Sequence, residues 1–390
     1  MQGDDWGHRP GHQPFIKGAS MKITEIRTYL VNANGSKRSD RPRGRNWLFC
    51  KIITDAGIYG VGEGGGWPEV ARHGIEEVAP LLIGEDPFAI ERLWLRVYDL
   101  LHGHGLTGSV RGGVISAIDM ALWDIKGKAL GAPVYELLGG KVREAIRIYA
   151  PASSVEEARK LVERGYTAFK CGPSPKVLAA LRDALGYELE IGVHCHGEFS
   201  PVGALQLAKA IEPYQPAFLE EPTDPDDLDA LQWLGGKTSV PLAAGERLFS
   251  KWAFRDLLQR RAIEIAQPEI TRIGGITEAK KIAALAEAFL VKVAPHDGSA
   301  GPVAEMANLH VLAASPNCLF LEHLANDVPW RAEVAKGVIP EEDGHIPVPA
   351  LPGLGIDLDE EAIAAHPPYG VAELQYHFRT PEEMQAHRLP

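Results

Sequence analysis

Cysteine, basic charge and long apolar runs are all scarce in this sequence. The four cysteines form no C-x-x-C pair, so neither a disulfide framework nor a thiolate zinc site is expected, and each is predicted to be a buried apolar residue in a reducing cytoplasm. Lysine and arginine number 40 against 52 aspartates and glutamates, which argues against a general nucleic-acid binder. No apolar stretch approaches the ~18 residues of a membrane span.

The amino terminus also lacks the apolar run of a secretory signal. Residues 1–20 are predicted to be a disordered leader ahead of a second plausible start at Met21. The protein is therefore expected in the cytoplasm.

Residues 21–140 are predicted to form an α+β domain. Strand-like runs fill 22–64, and Thr54 to Gly57 between two of them is typical of a hairpin turn. Helical periodicity then takes over, with Ile115, Ile118 and Leu122 on one face of a helix that Gly131 should stop. Strands followed by helices favour the α+β class.

Residues 141–335 repeat a short apolar run and a charged helical stretch eight times. Near-continuous apolar runs are typical of parallel strands buried on both faces, so the repeat predicts a (β/α)₈ barrel. A doubly wound open sheet is the alternative, but no G-x-G-x-x-G follows the first run. Residues 336–390 are predicted to return to the first domain, which would make both chain ends a cap on the barrel. The eight runs are IRIYA (146–150), TAFKC (167–171), LEIGVHCH (189–196), AFLEE (217–221), PLAAGE (241–246), IEIAQPE (263–269), LVKVAPH (290–296) and CLFLEH (318–323).

Ionisable residues end seven of these eight runs, where barrels of this kind place their active sites. An unpaired charge at a buried strand end is costly, so the pattern indicates a functional site. Strand alternation puts His194 and His196 on one face and separates Glu220 from Glu221. The ionisable residues are Lys170, His194, His196, Glu220, Glu221, Glu246, Glu269, His296, Glu322 and His323.

Acidic groups on neighbouring strand ends would converge on one cation, and Mg²⁺ prefers such oxygen ligands. A metal beside a histidine suits proton abstraction next to a carboxylate, because the metal stabilises the enediolate while the histidine takes the proton.

Ordered segments across residues 21–365 resemble the enolase superfamily, specifically its mandelate racemase-like acid-sugar dehydratases of the galactonate dehydratase type. The segments are SAIDMALWDIKGK (116–128), GYTAFKCG (165–172), HCHGEFS (194–200), FLEEP (218–222), AAGERLFS (243–250), QPEITRIGGITE (267–278), APHDGSAGP (294–302) and PGLGIDLD (352–359).

The resemblance implies a role for each strand-end residue. Metal ligands in the family lie 26 residues apart, which selects His194, Glu220 and Glu246. His296 corresponds to the general base and Glu269 to its acidic partner. Glu322 corresponds to a group that hydrogen-bonds the substrate carboxylate, and His196 corresponds to a second catalytic histidine. Lys170 would supply a positive charge near the same carboxylate.

The sequence departs from the family at three of these positions. The family has Asp where this chain has His194, so the implied Mg²⁺ cofactor could give way to Mn²⁺ or another softer divalent cation, or His194 is not a ligand. The dyad acid is Glu269 instead of Asp. Lys170 is followed by Cys171 and Gly172, so the second lysine that racemases use as a base is missing.

Two segments are candidates for contacts with the substrate. The basic loop 31–46 contains Arg43 and Arg45, which suit an anionic sugar acid, although such a loop is also typical of solvated surface. Trp67 in GGGWPEV is predicted to form a wall, and His104 lies in the cap, where an exposed position is the alternative.

The predicted function is dehydration of an aldonate-type acid sugar to a 2-keto-3-deoxy acid. Isomerisation, cycloisomerisation or epimerisation through the same enediolate is one alternative, and a catalytically silent sugar-acid-binding relative is another. The expected partners are a small acid sugar and further copies of the chain in a symmetric homo-oligomer.

Overall fold

The structure, a computed structural model, describes residues 21–34 and 45–368. The predicted leader, Arg43 and the end of the tail therefore lie outside the described residues. Of the helices in these two ranges, none combines the length and the apolar character that crossing a membrane requires. The four cysteines are unpaired, and Cys318 alone among them is partly exposed.

The cap begins with a three-stranded antiparallel sheet in the order β1-β2-β3, and the predicted hairpin joins its second and third strands. A long helix packs on this sheet because alternate glycines in YGVGEG leave room for its backbone: a Cβ on Gly62 would lie 2.0 Å from the carbonyl oxygen of Ala117. The cap elements are β1 (Ile23–Asn32), β2 (Asn46–Thr54), β3 (Tyr59–Gly64), α1 (Pro68–Val78), α2 (Ile90–Gly103), α3 (Gly108–Leu130) and α4 (Val134–Leu137).

Helix α3 is the contact surface between cap and barrel. It ends where predicted, at Gly131, whose φ of 67° is the left-handed conformation that closes helices. At its other end, a Cβ on Gly112 would lie 1.5 Å from the carbonyl oxygen of Arg272 in the barrel. Glycine therefore weakens the helix locally but permits the two units to touch.

Eight parallel strands of the described chain, β4 to β11, form the barrel. They pair in sequence order, and β11 returns to β4. A parallel bridge between Val293 and Cys318 joins the last two strand segments and closes the ring. The strands are β4 (Ala145–Pro151), β5 (Ala168–Cys171), β6 (Glu190–His194), β7 (Phe218–Glu220), β8 (Leu242–Ala244), β9 (Ile265–Ala266), β10 (Lys292–Val293) and β11 (Leu321–Glu322).

Seven helices cross between these strands on the outside of the ring. The first five begin with a serine or aspartate whose side chain accepts a hydrogen bond from the amide three residues on, a cap that stabilises each helix by about 1 kcal/mol. The helices are α5 (Val155–Glu163), α6 (Pro175–Leu185), α7 (Pro201–Ile211), α8 (Leu228–Gly235), α9 (Lys251–Gln259), α10 (Gly275–Ala288) and α11 (Pro302–Ala313).

The described part of the tail returns to the cap. Buried Asp124 of α3 accepts hydrogen bonds from the amides of Val61 (2.9 Å) and Leu354 (2.8 Å), so one carboxylate ties the cap sheet to the tail. The tail elements are α12 (Arg331–Val334), β12 (Ala335–Lys336), β13 (His345–Pro347), β14 (Asp357–Leu358) and α13 (Glu360–Ala365).

The predicted fold class, a modified barrel with an α+β cap, is confirmed. The sequential strand order around a closed ring excludes the doubly wound alternative. The exact domain bounds of 140 and 335 stay a prediction.

Candidate functional site

The strand-end residues meet at one edge of the barrel. Lys170, His194, Glu220 and Glu322 lie within the last two residues of β5, β6, β7 and β11. Glu246, Glu269 and His296 follow β8, β9 and β10 by two or three residues, and a parallel bridge sets Glu269 beside His296.

Glu220 is the most densely contacted member of this group. Its Oε1 accepts from Lys170 Nζ at 2.9 Å and lies 2.5 Å from His194 Nδ1, and its Oε2 accepts from Gln267 Nε2 at 2.8 Å. Burial alone would raise the pKa of Glu220, but Lys170 and His194 outweigh it and hold the pKa well below its usual range. Glu220 is therefore a permanent, pre-oriented carboxylate.

His194, Glu220 and Glu246 form a cluster that can bind a metal ion. One ligand atom from each lies within 4.8 Å of the others. Glu246 Oε2 is buried and has no hydrogen-bond partner among the described residues. Two carboxylates and an imidazole fit a divalent cation.

His296 and Glu269 form a hydrogen-bonded dyad. His296 Nδ1 lies 2.7 Å from Glu269 Oε2, and the other oxygen of Glu269 accepts from the amide and hydroxyl of Thr271. Nδ1 thus keeps its proton, and Nε2 faces Glu246 at 3.2 Å. Burial would lower the pKa of His296, but Glu246, Glu322 and Glu269 raise it to about 9. Nε2 is therefore the nitrogen left to accept a proton from a substrate, and the three carboxylates stabilise the charge that the ring would gain.

Lys170 lies between two carboxylates. Its Nζ is 2.9 Å from Glu220 Oε1 and 2.9 Å from Glu322 Oε1, and Glu322 Oε2 accepts from the amide of Asp297 at 3.2 Å. Although burial opposes the charge, both carboxylates raise the pKa of Lys170 well above its ordinary value. Lys170 is a fixed positive charge and a poor base.

His196 approaches the cluster from another side. Its backbone is left-handed, with φ of 53°, and its Nε2 lies 3.5 Å from Glu246 Oε1. Burial lowers the pKa of His196, so its environment differs from that of His296. Glu221 diverges from Glu220, as strand alternation predicts, and pairs with Arg247.

Two cavities open between this edge and the cap. One of about 350 Å³ is lined by Arg45, Trp67, Arg272 and others. The second, of about 630 Å³, is lined by Arg45 again, by Gly298 next to His296, and by residues 324–329. Arg45 and Trp67 thus lie on cavity walls, as expected of substrate contacts.

His104 is exposed just after α2 and does not line either of these cavities within the described chain. Its predicted role, like that of Arg43, stays a prediction.

Sequence reasoning missed two polar residues of the site. Gln267 holds Glu220, and the available signal was its position two residues before Glu269, on the same face of the run. Arg272 donates from Nη2 to Ser299 Oγ at 2.7 Å, while its buried Nε has no hydrogen-bond partner in the described structure. Arg272 lies in a loop, where no periodic pattern in the sequence could indicate its role.

Known proteins match both parts of the chain. Residues 43–139 match the mandelate racemase / muconate lactonizing enzyme N-terminal domain family, and residues 153–362 match the enolase C-terminal domain-like family. A D-galactonate dehydratase from Variovorax paradoxus is 38% identical over 372 residues, which cover 88% of this chain and 94% of that protein.

Two solved structures share the whole architecture. A Pantoea ananatis enolase crystallised with bound D-gluconate and Mg has a TM-score of 0.82 and 31% identity, covering 90% of this chain and 95% of that one. A 3,6-anhydro-D-galactonate cycloisomerase from Zobellia galactanivorans has a TM-score of 0.82 and 33% identity, covering 88% and 99%. The chain therefore belongs to the enolase superfamily and is an enzyme of the mandelate racemase-like acid-sugar dehydratase group.

Proposed function

We propose that the enzyme removes water from an aldonate-type acid sugar and yields a 2-keto-3-deoxy acid. The observation that carries this proposal is the pair of histidines flanking one carboxylate: His296 Nε2 is 3.2 Å from Glu246 Oε2, and His196 Nε2 is 3.5 Å from Glu246 Oε1. Elimination of water needs a base and an acid acting on neighbouring carbons, and two imidazoles in different environments suit that division. The 38% identity to a D-galactonate dehydratase supports the same reaction.

The carboxylate of the substrate would bind among positive charges. His194, Glu220 and Glu246 would hold a divalent cation, which would offset the negative charge that grows on the substrate carboxylate. Lys170 adds a fixed positive charge on the neighbouring strand, and Glu322, held by Lys170 and the amide of Asp297, is proposed to share a hydrogen bond with the same carboxylate.

Proton transfer falls to the two histidines. His296, oriented by Glu269, removes the proton from C2, and the electron pair of that C–H bond moves onto the carboxylate as an enediolate before it forms the C2=C3 double bond. The C3–O bond breaks while His196 protonates the departing hydroxyl, so water leaves. The resulting enol tautomerises to the 2-keto-3-deoxy acid.

The far end of the sugar is proposed to lie in the cavity that Arg45, Trp67 and Arg272 line. Thr271 connects this cavity to the catalytic dyad through its hydrogen bonds to Glu269. Guanidinium groups donate well to hydroxyl and carboxylate oxygens, and an aromatic wall packs on the carbon chain of a sugar.

The test is a panel of acid sugars, including D-galactonate and D-gluconate, assayed with Mg²⁺ and with Mn²⁺ for 2-keto-3-deoxy acid. Uptake of deuterium from D₂O at C2 of the remaining acid sugar is measured in the same samples. His296→Asn should abolish both signals, whereas His73→Asn, at an exposed histidine of α1, should leave both unchanged.

The other outcomes separate the alternatives. C2 exchange without keto acid would favour an isomerase or cycloisomerase, consistent with the similarity to the Zobellia galactanivorans enzyme. Neither exchange nor product with any sugar would favour a silent relative. Retained exchange in His296→Asn would refute the role of His296 as the base.

A further inference from the structure

An imidazole belongs to the candidate ligand set, and this restricts which cation suits it. His194 contributes nitrogen, whereas Glu220 and Glu246 contribute oxygen. Mg²⁺ strongly prefers oxygen ligands, whereas divalent transition-metal ions accept imidazole nitrogen more readily, Mn²⁺ the least of them and Co²⁺ and Zn²⁺ more strongly.

Because Glu220 is already held by hydrogen bonds, binding of a cation depends on whether His194 can bind it. Lys170 and Gln267 contact Glu220 from the sides of β5 and β9, and His194 Nδ1 lies 2.5 Å from the same carboxylate. To bind a cation through Nδ1, His194 must exchange that contact for a metal–nitrogen bond. The exchange is favourable only for a cation with appreciable affinity for imidazole.

Charge balance points the same way. Glu220 and Glu246 supply two negative charges, and Lys170, which is 2.9 Å from both Glu220 and Glu322, offsets part of this charge. The neutral imidazole needed for binding adds none. This low net charge lowers the affinity for a hard cation, which is held mainly by electrostatic attraction. It lowers the affinity less for a cation that also forms a bond to nitrogen.

We propose that His194 ligates the cation and makes this site select a divalent transition-metal ion over Mg²⁺. The proposal rests on the proposed function only for the location of the site, because it concerns binding and not turnover.

The first test compares binding of Mg²⁺ and Mn²⁺ to chelator-treated protein by calorimetry. His194→Asp should lower the preference for Mn²⁺ over Mg²⁺ by at least about tenfold, because it replaces nitrogen with oxygen and adds a negative charge. His73→Asp is the control: it adds the same charge at an exposed position of α1, outside the site, and should leave the preference unchanged. An equal preference in wild type and His194→Asp, or no binding of either ion to the wild type, would overturn the proposal.

The second test needs no variant at position 194 to fold. Pulsed electron paramagnetic resonance of the Mn²⁺-loaded wild type should reveal a ¹⁴N coupling from a directly bound nitrogen, replaced by a ¹⁵N coupling after labelling with ¹⁵N-histidine. His196→Asp and His296→Asn should each retain the coupling. Absence of a nitrogen coupling in the wild type, or its loss in either of these variants, would overturn the assignment to His194.

The two proposals fail separately. Keto-acid formation with Mg²⁺ and no nitrogen coupling would leave the dehydratase standing and remove the role of His194. A nitrogen coupling to Mn²⁺ without turnover or C2 exchange would support His194 as a ligand and would refute the proposed dehydratase.

Discussion

His323, next to Glu322 at the end of β11, should make stability depend on pH above neutrality. Its Nδ1 lies 3.0 Å from Glu305 Oε2 and its Nε2 lies 3.1 Å from Glu341 Oε2. Burial would lower the pKa of His323, but the hydrogen bonds to Glu305 and Glu341 raise it to about 9. Both ring nitrogens face carboxylates, so the folded protein favours the doubly protonated ring.

The size of the effect follows from the two pKa values. The difference between an ordinary histidine pKa of 6.5 and about 9 corresponds to about 3 kcal/mol, since one pKa unit is about 1.4 kcal/mol. Because the folded pKa is the higher one, the contribution is complete below pH 6.5. It declines as the pH rises and is lost above about pH 9.

Urea unfolding of metal-free protein at pH 6.5 and pH 9.5 tests this reasoning. Between these pH values the wild type should lose about 3 kcal/mol more of its free energy of unfolding than His323→Gln, which can hydrogen-bond but cannot hold the charge. His73→Gln, at an exposed histidine that pairs with Glu76, should behave like the wild type. Equal losses in wild type and His323→Gln would refute the reasoning.

Two further substitutions address the boundary between cap and barrel. Asp327 lies between Arg45 Nη2 (2.5 Å) and Arg331 Nη1 (2.8 Å), so Asp327→Asn should destabilise the protein by about 1–3 kcal/mol in denaturant titrations, because Arg45 loses this ion pair and Arg331 keeps only the one with Glu305. Exposed Glu156→Gln should cost less than about 0.5 kcal/mol, and a similar value for both would contradict the argument. Arg272→Met should raise KM for the acid sugar about tenfold with little change in kcat, since Arg272 is proposed to contact the unreactive end; a loss confined to kcat would exclude that role.

The fold could be predicted from the sequence because its signal repeats. Eight apolar runs at intervals of 21–27 residues leave few arrangements other than parallel strands with crossover helices. All strands except β4 are shorter than their runs: IEIAQPE contributes only Ile265–Ala266 to β9. The rest of that run is irregular backbone, which places Glu269 above the ring.

Boundaries that depend on tertiary contacts could not be predicted. Helix α3 begins at Gly108, well before the periodic segment. Glycine has low helix propensity, so Gly112 gives no helix signal in the sequence. Its close contact with Arg272 explains why a glycine stands there. The tail segment PGLGIDLDEEAI (352–363) contains β14 and the start of α13, a short helix that Asp359 caps.

The site was predictable where strand geometry fixes side-chain direction. His196 and Glu221 lie past the ends of β6 and β7 in left-handed backbone (φ 53° and 42°), and the ring centroids of His194 and His196 lie 5.4 Å apart. Alternation fixes the direction of His194 and Glu220, which end their strands. Strand alternation gives no information about loop residues, so Arg272 was missed. The predicted roles of the site residues and the homo-oligomer stay predictions.

Because the cap is built from both ends of the chain, its assembly is tied to the time needed for synthesis. Asp124 precedes Leu354 by 230 residues, which a ribosome takes roughly 10–50 s to add at about 5–20 residues per second. During that interval the carboxylate of Asp124 has no partner from the tail, although β1, β2 and β3 have already emerged. The barrel strands are all synthesised before this part of the tail, so the contact between Asp124 and Leu354 is among the last to form in a newborn molecule.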